Sequence, residues 1–95
     1  MALSPRETAA RMIRIARDAA WDRSETVVVN MTPQEVKTIS GAKRTSARME
    51  ERIGRELVAQ GHGNRGANGI FSVFSESGCT PLSFSEAISA GTDEE

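Results

Sequence analysis

The sequence predicts a small, single α+β domain whose elements follow the order helix, strand, helix, helix, strand, strand. Two helix-start signatures, at Ser4 and Thr32, each precede apolar residues at helical spacing. Two short runs of β-branched and aromatic residues, 26–31 and 70–75, interrupt the helical patterns. Because 95 residues support one modest core, we assign one domain to residues 1–85 and expect the acidic segment 86–95 to be a flexible tail.

The first helix begins after Ser4. Ser4 is suited to cap the helix, Pro5 to its first position, and Glu7 completes a capping box. Apolar residues then recur on one face, at Ala9, Met12, Ile13, Ala16, Ala19 and Ala20. We interpret this helix as scaffold, with Trp21 expected to pack at its end.

The second helix follows the strand 26–31 and starts with the same signature. Thr32 is the predicted cap, Pro33 occupies the first helical position, and Glu35 lies three residues after the cap. Val36 and Ile39 form the expected buried pair. The helix is predicted to end at residues 40–41, where Ser is followed by Gly.

The third helix is predicted to begin between residues 42 and 45 and to end at Gln60, before a glycine. At about 100° per residue, its apolar and basic side chains separate onto opposite faces. Met49, Ile53 and Leu57 share one face, and the other carries Arg48, Arg52 and Arg55. The sequence therefore predicts an exposed arginine face on this helix.

The remaining chain is predicted to form a mobile loop and a hairpin. Residues 61–69 are rich in glycine and are expected to be flexible. Residues 70–75 are predicted to form the second strand and residues 82–84 the third. A turn at 76–81 would join these two strands as a pair.

The formal net charge of −1 conceals an uneven distribution of charge along the chain. Residues 37–65 contain seven Lys and Arg against three Glu, whereas residues 66–95 contain five acidic residues and no Lys or Arg. Such segregation indicates a basic working surface and an acidic end. The alternative is an ordinary solvated helix surface, with Arg48 neutralised by Glu51 and Arg52 by Glu56.

The order of the elements resembles the winged helix-turn-helix family over roughly residues 5–85. In that family the third helix enters the DNA major groove, and a final hairpin, the wing, touches the adjacent backbone or minor groove. The resemblance implies a supporting helix at 32–40, a turn at 41–44, a recognition helix at 45–60 and a wing at 70–84. Aligned strictly on Gly41, the family pattern places Glu50 at a core position.

This resemblance implies a bacterial, phage or plasmid transcription regulator, such as a repressor, that binds double-stranded DNA and forms a homodimer. Residues near the start of a recognition helix reach base edges, and Arg and Lys farther along it meet phosphates. The predicted DNA contacts are Lys43, Arg44, Thr45, Ser46, Arg48, Arg52 and Arg55, with Asn64, Arg65 and Asn68 in the glycine loop. The rival hypothesis is a phage- or plasmid-type protein-interaction module, an inhibitor of a host or defence protein, without DNA binding.

Catalysis, a metal site and a cofactor are not expected. Cys79 and His62 are the single cysteine and histidine, too few for a zinc site or an internal disulfide. Glu35 and Lys37 have a nuclease-like spacing but fall on a predicted helix, where they point about 200° apart. No apolar run approaches the roughly 20 residues that span a bilayer, so we expect a cytoplasmic protein without a membrane partner.

Overall fold

The structure is a computed structural model that describes residues 2–44, 46–66, 68–75, 80–84 and 87–88. Thr45, Cys79 and most of the segment predicted to be a tail lie outside the described residues. The described elements, in chain order, are α1 (Pro5–Arg23), β1 (Val27–Met31), α2 (Pro33–Ser40), α3 (Ala47–Ala59), β2 (Gly63–Arg65), β3 (Phe71–Phe74) and β4 (Thr80–Ser83). The chain is therefore an α+β domain, as predicted.

Both predicted capping boxes form. The hydroxyl of Ser4 accepts the backbone N–H of Glu7 at 3.1 Å, and the Glu7 carboxylate accepts the N–H of Ser4 at 3.0 Å. Thr32 and Glu35 make the equivalent pair at 3.2 and 2.9 Å. These bonds satisfy backbone donors that the first turn of each helix would otherwise leave open, so the caps set where α1 and α2 begin.

The C-terminus of α3 ends in the predicted glycine stop. Gly61 has a φ of 76°, its N–H donates to the carbonyl of Val58, and the N–H of His62 donates to the carbonyl of Leu57. This pair of bonds is a Schellman motif, which reverses the chain directly after the helix. The reversal carries the next residues back alongside α3.

The predicted flexible loop at 61–69 and the predicted hairpin of the last two strands are both wrong. Part of the segment 61–69 is the strand β2, which pairs antiparallel with β3, while Gly66 and residues 68–70 lie at the hairpin tip. The strand order is β2-β3-β1-β4, with β1 antiparallel to β3 and parallel to β4. The predicted strands 70–75 and 82–84 correspond to β3 and β4, which lie on opposite sides of β1 and do not form a hairpin with each other.

The physical reason for this error is that β2 has little strand propensity of its own. Its sequence, Gly-Asn-Arg, lacks the β-branched and aromatic residues that are enriched in strands. The reversal at Gly61 delivers it next to β3, where backbone hydrogen bonds and packing on α3 hold it. Tertiary position thus overrides local composition.

The core lies between the helices and one face of the sheet. Alternation along β1 buries Val27, Val29 and Met31, and turns Asn30 to solvent. The helices and β3 complete the buried cluster, which also contains Ala9, Met12, Ile13, Ala16, Ala19, Val36, Ile53, Leu57, Phe71, Val73 and Ala87. The predicted apolar face of α1 is thus confirmed.

Gly54 lets β2 approach α3 closely, and Gly63 lets β2 approach β3. A Cβ at Gly54 would lie 2.9 Å from the Cβ of Arg65, closer than such atoms come in real proteins. A Cβ at Gly63 would overlap the backbone carbonyl oxygen of Ser72. Side chains at these positions would push β2 away from α3 and from β3.

The expected packing of Trp21 at the end of α1 is wrong, because 85% of this residue is exposed. Ala16 and Ala19 occupy the buried side of the last turns of α1, and Trp21 lies one turn after the exposed Arg17. Helical geometry places residues i and i+4 on one side, so Trp21 shares the solvated side of the helix.

Candidate nucleic-acid interface

The connection between α2 and α3 is longer than predicted. α2 ends at Ser40, Gly41 follows with a φ of 78°, and α3 begins at Ala47 after its cap Ser46. Ser40 is buried, and its hydroxyl donates to the carbonyl of Lys37 and accepts the N–H of Ala42. The turn therefore extends beyond the predicted 41–44, and the third helix starts at Ala47, two residues after the latest predicted start, 45.

Glu50 is not a core residue but the partner of the hairpin. Its carboxylate accepts from the guanidinium of Arg65 at 3.1 Å, with the two side chains 15% and 32% exposed. The Arg65 guanidinium carbon also lies 6.0 Å from the centre of the Phe71 ring. Arg65 was predicted to contact DNA, but the structure engages its guanidinium in holding β2 against α3.

The third helix has the two faces predicted from its sequence. Ile53 and Leu57 are buried and Met49 is half-buried against the core. The opposite side exposes Arg48, Arg52 and Arg55, which we call the arginine face. Hydrophobic burial of one stripe thus orients the helix so that the arginine face is turned to solvent.

The ion pairs expected to neutralise the arginine face are not those that form. Glu51 lies 3.7 Å from Arg55 instead of pairing with Arg48, and both partners are well exposed. Such a surface pair contributes little, since water screens it and both side chains lose rotamer freedom. Within the described part of the chain, Arg48 and Arg52 form no ion pair.

The predicted contacts that precede α3 lie at its start. Lys43 and Arg44 are both exposed in the connection. The hydroxyl of Ser46 accepts the N–H of Met49 at 3.1 Å and so caps the helix. Thr45 lies outside the described residues. The two cations therefore stand at the N-terminal end of the arginine face.

The predicted asparagine contacts lie on the hairpin. Asn64 is exposed on β2, and Asn68 is exposed at the tip, where its side-chain oxygen accepts the N–H of Ile70 at 3.0 Å. Gly69 has a φ of 85°, and a Cβ there would be in ordinary contact with Pro33. The tip therefore lies against the start of α2.

The structure also brings one residue to the arginine face that the sequence did not indicate. Arg6, on the first turn of α1, is exposed and lines a cleft of about 390 Å³ with Arg52, Arg55 and Glu56. Ser4 and Pro5 complete the lining. No sequence signal links Arg6 to α3, because the packing of α1 on α3 joins residues more than forty positions apart.

His62 has a structural role near the C-terminal end of α1. Its Nε2 accepts from the Arg17 guanidinium at 3.1 Å, and its Nδ1 donates to the carbonyl of Phe74 at 2.8 Å. These partners require the neutral ring with its proton on Nδ1. The histidine thereby links α1 to β3, and both ring nitrogens are engaged.

Two further features are absent from the part of the chain that the structure describes. No group of three or more His, Cys, Asp or Glu side chains there is placed to hold a metal ion. No helix among those residues combines the length and the apolar character needed to cross a bilayer.

Comparison with known proteins finds no relative of this chain. The chain matches no protein-family model, no curated protein and no solved structure.

Proposed function

We propose that this protein binds double-stranded DNA through α3 and acts as a small transcription regulator of the winged helix-turn-helix type. The observation that carries the proposal is the arginine face, on which Arg48 and Arg52 are exposed and free of ion pairs within the described residues. Exposed guanidinium groups without an ion-pair partner can neutralise DNA phosphates, which releases condensed counterions from the DNA.

The position of each cation along α3 suggests its role. Lys43, Arg44 and Arg48 stand at the N-terminal end, which in a recognition helix reaches base edges, and Arg is suited to a bidentate contact with guanine. Arg52 and Arg55 lie one to two turns farther along and are placed for phosphates. Specificity for sequence would therefore come from the first group and affinity from the second.

The order of the elements supports the same proposal. A short helix, α2, precedes α3, and the hairpin of β2 and β3 follows it. This hairpin takes the place of the wing, and its exposed Asn64 and Asn68 are the side chains that would touch the adjacent backbone. Action as a homodimeric repressor is the form that the family resemblance favours.

The test is a titration of fluorescently labelled duplexes, including the region upstream of the gene, at two salt concentrations. Replacing Arg48 or Arg52 with Ala should weaken binding about 3- to 10-fold, because each removes a phosphate or base contact. The melting temperature should stay nearly unchanged, since both side chains are exposed.

The matched control is Arg14→Ala on α1. Arg14 is also exposed and has only a 3.9 Å contact with Asp18, so its loss removes the same charge away from α3. If the wild type binds none of the duplexes at low salt, the proposal is ruled out. An equal loss of affinity in the Arg14 variant would show that net charge, and not the arginine face, is responsible.

A second candidate function is protein binding, and exposed Trp21 is the observation that favours it. Trp21, Arg17 and Glu25 line a second cleft, of about 700 Å³, near the end of α1. Tryptophan is enriched among the residues that dominate protein interfaces. Capture of one stoichiometric protein that Trp21→Ala abolishes, with no binding of duplex DNA, would favour this candidate.

A further inference from the structure

Three arginines line the cleft between the start of α1 and the arginine face. Arg6 comes from α1, and Arg52 and Arg55 come from α3. We propose that this cleft receives one backbone phosphodiester of duplex DNA, so that Arg6 extends the DNA interface from α3 onto α1. The inference rests on the proposed DNA binding and adds a residue and a ligand group to it.

The backbone around Arg6 is held by two independent sets of hydrogen bonds. The capping box at Ser4 and Glu7 defines the first turn of α1. One residue earlier, the N–H of Leu3 donates to the carbonyl of Ser40 at 2.9 Å, which ties the preceding segment to the end of α2. Arg6 therefore projects from a backbone anchored to α2, and little backbone ordering would be required when an anion binds.

The charge balance of the cleft favours an anion. Glu56 is the acidic residue among its lining side chains. The neighbouring Glu7 is committed to the cap, where hydrogen bonds from the backbone N–H and the hydroxyl of Ser4, together with Arg11, lower the pKa of its carboxyl. Arg6 and Arg52 form no ion pair within the residues the structure describes.

A phosphodiester matches the donors that the cleft presents. Guanidinium groups are planar, always charged, and bind phosphate oxygens through paired N–H donors. Duplex DNA is favoured as the source because Arg52 and Arg55 belong to the arginine face as well as to the cleft.

The position of Arg6 dictates the kind of effect its loss should have. It stands on α1, outside the helix proposed to enter the groove, so it meets the backbone and reads no base. Removing a phosphate contact weakens binding about equally on every sequence and lowers the slope of log affinity against log salt by about 1. A base-reading residue would instead change the preference between sequences.

The experiment measures affinity by fluorescence anisotropy over a range of NaCl concentrations on two unrelated duplexes. It compares the wild type with Arg6→Ala, Arg6→Lys and the control Arg14→Ala. Arg6→Ala should weaken binding about 3- to 10-fold on both duplexes and reduce the salt slope by about 1, at an unchanged melting temperature. Arg6→Lys should retain most of the slope because it keeps the charge, and Arg14→Ala should resemble the wild type.

Each alternative outcome separates the two proposals. If the wild type binds and Arg6→Ala behaves like Arg14→Ala, the cleft does not hold a phosphate, while binding through α3 stands. If Arg6→Ala loses affinity for one duplex only, the contact is to bases and the inference is overturned. If the wild type binds neither duplex at low salt, both proposals fall together.

Discussion

At the scale of single residues, Ser24 shows how a helix end can be made without glycine. Ser24 follows α1 with a φ of 57°, and the N–H groups of Ser24 and Glu25 donate to the carbonyls of Trp21 and Ala20. The hydrogen bonds are those of a Schellman motif, which normally places glycine at the left-handed position. A side chain there crowds the following carbonyl and costs free energy.

Ser24→Gly should therefore raise the free energy of unfolding. Glycine removes the strain of the left-handed conformation, but it also has greater freedom in the unfolded chain. The net gain in the free energy of unfolding should be about 0.5 to 1 kcal/mol. Urea denaturation followed by circular dichroism measures this difference. Ser24→Ala keeps the Cβ and should bring no gain, so stabilisation by alanine equal to that by glycine would refute the explanation.

At the scale of elements, the contact between α3 and the hairpin determines how the arginine face is displayed. Gly54 allows the close approach, and the ion pair of Glu50 with Arg65 spans the same contact. Because the pair is partly buried and backed by the Phe71 ring, it is less screened than the surface pair on the arginine face. The hairpin thus packs against α3 away from the arginine face and leaves the arginine face exposed.

Gly63→Ala should destabilise the protein by about 1 to 3 kcal/mol, the usual cost of inserting an atom into a closely packed site. The added methyl group would overlap the carbonyl oxygen of Ser72 and push β2 away from β3. Thermal unfolding measures the loss. Asn64→Ala, one residue along on the exposed side of β2, is the control and should change stability by less than about 0.5 kcal/mol. Equal losses in the two variants would argue against the close approach.

At the scale of the whole molecule, the two candidate surfaces lie toward opposite ends of α1. Arg6 stands in the first turn beside Arg52 and Arg55, whereas Trp21 stands in the last turn near His62. Fifteen residues separate Arg6 from Trp21, which corresponds to roughly 22 Å along a helix. One face can therefore bind DNA while the other remains open to solvent.

This separation predicts that DNA binding leaves the environment of Trp21 unchanged. Trp21 is the single tryptophan and is 85% exposed, so its fluorescence emission reports on one surface alone. Adding duplex DNA should change the anisotropy of a labelled duplex but not the wavelength of the tryptophan emission. A blue shift on adding DNA would contradict the prediction, because it would mean that the ligand covers the end of α1 that carries Trp21.

The sequence by itself determined the local features of this protein. The caps at Ser4 and Thr32, the stop at Gly61 and the two faces of α3 were all predicted, and all are present. Caps and helical faces depend on residues within a few positions of each other, so a short stretch of sequence is enough to predict them. The candidate DNA contacts on α3 could be proposed for the same reason.

Only the tertiary structure decided which distant residues meet. β2 exists because the chain reverses at Gly61, Arg65 binds Glu50 on α3, and Arg6 reaches the arginine face through the packing of α1 on α3. Strand pairing and ion pairs between elements depend on approach distances that local composition does not specify. The core sets those distances, and with them which cations pair internally and which face solvent.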